Sequence, residues 1–136
     1  MEQKDYLLRE IEKTGTLLRW IIGKITGIEV NDALTAENQF EKAKELVLNE
    51  TGFDMDLLLE LTEPETEKYI AGFNGINIAN LELLADIYSL MGMRTDNLKS
   101  KEYLKSALKL YELCDVLDKT FLFDRENKIN GIKNVL

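Results

Sequence analysis

Apolar residues recur along most of this chain at three- and four-residue intervals, the period of an α-helix with one buried face. The pattern is clearest over residues 76–119. There Leu81, Leu84, Ala85, Tyr88 and Met91 form one stripe, and Tyr103, Leu104, Ala107, Leu108, Tyr111, Cys114 and Leu117 form a second. Gly92 is placed to close the first helix, and Arg94, Thr95, Asp96 and Asn97 supply a polar loop. The expectation is two helices folded back on each other. Ala85 and Ala107 permit close approach, and Tyr88 and Tyr111 fill the space beside them.

The same period organises the rest. Residues 2–26 predict a long first helix with Leu8, Ile11, Leu18, Ile22 and Ile25 on one face, widened by Leu7, Leu17 and Ile21; Gly15 and Gly23 would let another helix approach. A connector follows over 28–35 with the turn formers Asn31 and Asp32. Thr35 then caps a helix reaching about Glu50, its stripe made by Phe40, Ala43, Leu46 and Val47. Thr51-Gly52 ends it, and Asp54 or Asp56 caps a short helix holding Leu57, Leu58, Leu59 and Leu61. Thr62-Glu63-Pro64-Glu65 has the form of a capping box with a proline in the first turn; that helix ends near Ala71-Gly72. Beyond Lys119, Phe121, Leu122, Phe123, Ile129, Ile132 and Val135 predict a final helix over the hairpin, with Asp118 as its start. The expected fold is all-α: antiparallel helical hairpins in one domain over 1–136, with a long amphipathic helix at 1–27 and the hairpin at 76–119.

Two resemblances bear on this plan. Leu81, Leu84, Ala85, Tyr88 and Gly92 resemble the first helix of a tetratricopeptide repeat, and Ala107, Tyr111 and Cys114 its second. The stretch from Gly92 to Ala107 is longer than the repeat's, and Lys119 stands where its terminal proline would fall. The resemblance implies right-handed α-α packing and a groove for a protein or peptide partner, with Tyr88 and Tyr111 near it. One unit cannot bury its own hydrophobic face, so the neighbours must be the other helices or another subunit. Glu82 and Asp86 stand where the carboxylate-clamping subclass carries basic and amide side chains, so no clamp is expected. The opening segment, through Lys4-Asp5-Tyr6, Arg9 and Ile11-Glu12, resembles small uncharacterised helical bacterial proteins. That resemblance carries a fold expectation and no chemistry.

Charge narrows the function. The 136 residues have a net charge of −8, and residues 28–67 hold twelve acids against two lysines. A duplex binder needs a positive footprint, so nucleic acid is not an expected partner. Lys101, Lys105 and Lys109 form a stripe at four-residue spacing, suited to an acidic peptide or the acidic middle of another copy, or simply to solvent. Residues 15–27 carry Arg19 and Lys24 around Trp20 and no acid. Leu18, Trp20, Ile22 and Ile25 are therefore candidates for core packing, for a homodimer contact or, less in keeping with a soluble helix, for a membrane surface.

Candidate chemistry is sparse. Without histidine the commonest general base near neutral pH is missing, as are Ser-His and Cys-His arrangements. Cys114, the one cysteine, reads as a small core residue, and with no disulfide possible within the chain and a charged amino end the expected compartment is the cytoplasm. Gly72-Phe73-Asn74-Gly75 reads as a turn. Glu60, Glu63, Glu65 and Glu67 lack the spacing of a calcium loop or a di-metal bundle. No catalytic residue, metal ligand or cofactor is assigned. The expected role is a non-catalytic interaction or scaffold module; the alternatives are an enzyme using carboxylates or a metal, and peripheral membrane association through residues 15–27.

Overall fold

The computed structural model describes residues 2–27, 33–95, 98–119 and 122–136, with side chains at all of these except 2, 3 and 33–35. The described residues form seven α-helices: α1 (Glu2–Thr26), α2 (Ala33–Thr51), α3 (Met55–Leu58), α4 (Glu63–Ala71), α5 (Ile78–Met93), α6 (Leu98–Asp118) and α7 (Phe123–Val135). The expected turn residues Asn31, Asp32, Asp96 and Asn97, and the expected apolar Phe121, lie outside the described residues. Thr35 is not a start signal: α2 begins at Ala33.

Local chemistry accounts for several helix ends. Gly52 sits at φ +79°, a left-handed turn that ends α2. The Asp54 carboxylate then accepts from the amides of Asp56 and Leu57 and starts α3. Thr62 Oγ1 accepts from Glu65 N at 3.3 Å while Glu65 Oε1 accepts from Thr62 N at 2.9 Å, closing the capping box of α4. Asn77 Oδ1 accepts from Asn80 N at 2.9 Å at the start of α5.

Two helix ends differ from expectation. Gly92 does not terminate α5; it lies inside the last turn, and Arg94 closes the helix. A Cβ on Gly92 would stand 2.6 Å from Leu104 Cγ, so the glycine is there to let α6 approach. Asp118 belongs to the end of α6, and α7 starts after Leu122, which makes no side-chain cap.

Pairings between α5 and α6 run in opposite senses along the two helices. Ser100 Oγ donates to Gly92 O at 2.7 Å, Tyr111 Oη donates to Asp86, and Cys114 Sγ lies 3.9 Å from Ile78 O. Helix α1 lies along α5 in the same sense. Asn80 Nδ2 donates to Ile11 O at 2.9 Å near one end, and Arg94 Nη1 donates to Ile25 O at 2.9 Å at the other. Between these clamps Leu18, Ile21 and Ile25 are buried in a continuous core with Leu81, Leu84, Tyr88, Met91, Leu110 and Tyr111. Phe53, Tyr69 and Phe73 form an aromatic trio, centroids 5.1 to 5.2 Å apart, that ties α4 to the turn before α3.

Candidate functional site

The sequence places a partner groove beside Tyr88 and Tyr111, and the structure corrects this. Tyr88 is 0% and Tyr111 1% exposed. Tyr88 Oη donates to Met55 O at 2.6 Å, fastening α5 to α3. Burial raises both phenols above their ordinary range, and at Tyr111 the neighbouring Asp86 adds to the shift. Neither side chain can meet a partner.

Helix α7 is tied to α5 and α6 by ion pairs. Its Arg125 is 2% exposed and reaches three carboxylates: Nε stands 2.7 Å from Glu82 Oε1, Nη1 3.0 Å from Asp115 and Nη2 3.6 Å from Asp118. Lys128 Nζ lies 2.9 Å from Glu82 Oε2 and 3.1 Å from Asp86 Oδ1. Burial works against the Glu82 charge, but the hydrogen bonds from Lys128 and Arg125 prevail and hold its carboxyl below its ordinary value.

The lysine stripe divides. Lys101 and Lys105 are exposed. Lys109 turns inward and donates to Leu58 O at 3.1 Å and Leu61 O at 2.7 Å, so it closes the carbonyl end of α3 and leaves the surface stripe. Burial lowers its pKa, with Glu63 and Glu65 opposing. Lys44, unremarked in the sequence, is buried on α2 between Glu41 at 2.7 Å, Asp56 at 3.0 Å and Tyr103 Oη at 2.9 Å. Burial disfavours its charge, yet hydrogen bonds with Glu41, Tyr103 and Asp56 raise its pKa. Burial pushes the Cys114 thiol up to about 12, which leaves it unreactive near neutrality. Among the described residues no group of three or more Cys, Asp or Glu side chains is placed to hold a metal ion.

The four candidates on α1 point in two directions. Leu18 and Ile25 are buried against the rest of the chain, and Ile22 packs on the same core. Trp20 is 55% exposed and faces away from that core. It edges a groove of about 430 Å³ between α1 and α2. Leu17 and Leu46 supply its apolar lining, and Glu10, Lys13 and Glu50 its charged rim. Lys24 Nζ stands 5.3 Å from the centre of the Trp20 ring. Sequence reasoning placed Leu17 and Leu46 on core stripes. Each lies at the flank of its stripe, and the groove opens where those two flanks meet. No described helix is long and apolar enough to cross a membrane.

Comparison of the chain with family models, with curated proteins and with solved structures finds no match in any of the three.

Proposed function

We propose that this chain is a non-catalytic protein-interaction module whose docking surface is the groove between α1 and α2. The observation that carries this reading is Trp20, more than half exposed beside an apolar lining of Leu17 and Leu46 and ringed by charges of both signs. An aromatic anchor beside an apolar floor with a polar rim is the composition of an interaction hot spot. The buried and half-buried polar groups support the same reading from the other side. Lys44, Lys109, Arg125, Tyr88 and Tyr111 each join one helix to another, and each is satisfied by that structural partner.

The pairings of α5 with α6 support an antiparallel hairpin of the tetratricopeptide kind, with α7 and α1 serving as its neighbours in place of further repeats. Lys119 fits less well with the repeat. Its φ of 54° excludes the proline that closes a typical unit. The proposal takes the chain to act in the cytoplasm, in keeping with a single cysteine that forms no disulfide within the chain.

The test is cross-linking capture from lysate with the intact chain and with Trp20→Ala, after circular dichroism confirms equal helix content. The expected result is that captured proteins present with the intact chain are lost or reduced at least about fivefold, in line with an exposed hot-spot aromatic worth about 1–2 kcal/mol. Identical catches would remove the groove from consideration. Because Tyr88 and Tyr111 are core residues, changing them would test folding and not docking.

A further inference from the structure

We propose that the occupant of the α1–α2 groove is α1 of a second copy of this chain, crossing antiparallel at Leu17. This rests on the reading of the groove as a docking surface and names its partner. Along the outer side of α1, Tyr6, Glu10, Lys13, Leu17, Trp20 and Lys24 recur at three- and four-residue spacing and so share one stripe. Charge along that stripe is ordered. Glu10 lies seven residues before Leu17 and Lys24 seven after.

Two such helices crossing antiparallel at Leu17 place residue 17+n of one opposite residue 17−n of the other. Lys24 of each copy then meets Glu10 of the other, and two-fold symmetry makes the contact twice. Glu50 of α2 lines the groove together with Glu10, so each incoming ammonium finds two carboxylates. Lys13 comes within one residue of the position opposite Trp20, where a cation is favoured over the indole face. A parallel pairing in register would set Glu10 on Glu10 and Lys24 on Lys24, and like charges would oppose it.

Overall charge selects the same surface. Residues 2–27 carry five basic and four acidic side chains, so the whole negative excess of the −8 chain lies elsewhere. Two copies meeting along α1 therefore bring little net charge together. A foreign acidic or basic peptide would match only one end of the stripe, whereas the stripe matches itself reversed.

The experiment is sedimentation equilibrium on the full chain and three charge variants, with circular dichroism as the folding control. The wild-type chain is expected to show a reversible monomer–dimer equilibrium. Glu10→Lys and Lys24→Glu should each raise the dissociation constant at least about tenfold, because each change strikes two symmetry-related contacts. The combined Glu10→Lys/Lys24→Glu exchange should lower it at least about threefold from either single variant, since the reversed 10–24 pairs attract again, while the unchanged Glu50 keeps it above the wild-type value. A monomer at every concentration would overturn the second copy as occupant, and so would a double exchange no tighter than the single variants. If that monomer still captured proteins in a Trp20-dependent way, the docking reading would stand without this partner; if it did not, both would fall. Trp20-dependent flotation of the monomer with anionic phospholipid vesicles would likewise overturn the proposal and assign the stripe to a membrane surface.

Discussion

A methyl group added at Gly92 would land 2.6 Å from Leu104 Cγ, 2.7 Å from its Cδ2 and 3.1 Å from Ser100 O. In an exposed helix the change from glycine to alanine is favourable by about 1 kcal/mol. Here the overlap reverses the sign, because Leu104 is itself buried and has no room to withdraw. Gly92→Ala is expected to lower stability by about 1–3 kcal/mol, read by urea unfolding with the slope unchanged. A stabilised variant would mean that α6 can move away from α5. Sequence alone shows a glycine near the end of an apolar stripe, and the commonest role for such a glycine is to stop the helix. What decides between a stop and a close approach is the residue opposite, and pattern along one helix does not carry that information. Tyr88 and Tyr111 illustrate the same limit: their place on the stripe was legible, but their hydroxyls find Met55 O and Asp86 from across the fold.

At the scale of elements, helix α7 is held by ion pairs from Arg125 and Lys128 together with its two buried isoleucines, Ile129 and Ile132. The sign of its pH dependence follows from Glu82, whose folded-state pKa is depressed. Such a group contributes stability that is present above the unfolded carboxyl value, about 4.3, and is lost as pH falls through the folded value. Lys128 is shifted upward by Glu82 and Asp86 against the cost of burial, so its contribution is lost only as pH rises above the ordinary lysine range. Thermal unfolding should therefore show a plateau at neutral pH and a fall on acidification. Arg125→Met should lower the plateau by about 2–3 kcal/mol. This is less than the ~3–5 expected for a fully buried pair, because Asp115 and Asp118 are about a third exposed. It should also shallow the acid limb, since Glu82 then keeps only Lys128. An unchanged melting curve would show that α7 is held by its apolar side alone.

The existence and order of the helices were readable because most carry a three-to-four-residue period and several a side-chain cap; the box at Thr62 and the cap at Asp54 lie where the pattern puts them. The start of α7 was not readable, since Leu122 makes no side-chain cap and Asp118 imitates one. Arg125 gave some signal, standing three residues before Lys128 on the side of α7 that also carries Ile129 and Ile132. Its three carboxylate partners come from α5 and α6, and only the fold brings them together.

For the whole molecule, α7 is tied by ion pairs to α5 and α6, and the α1–α2 side is where apolar surface and charge of both signs meet around an exposed tryptophan. Docking there is the proposal on which the functional reading stands, and a second copy in antiparallel register is its proposed occupant. Trp20 is the chain's one tryptophan, so its fluorescence reports that site alone. The most direct measurement is acrylamide quenching of Trp20 across a protein dilution series, beside the same series for Glu10→Lys. The wild-type quenching constant should fall at least about twofold, with a blue-shifted emission, as concentration rises through the dimer range and the indole leaves water, while Glu10→Lys remains quenchable to higher concentration. A Trp20 that stays equally quenchable at every concentration, in both proteins, would contradict the account.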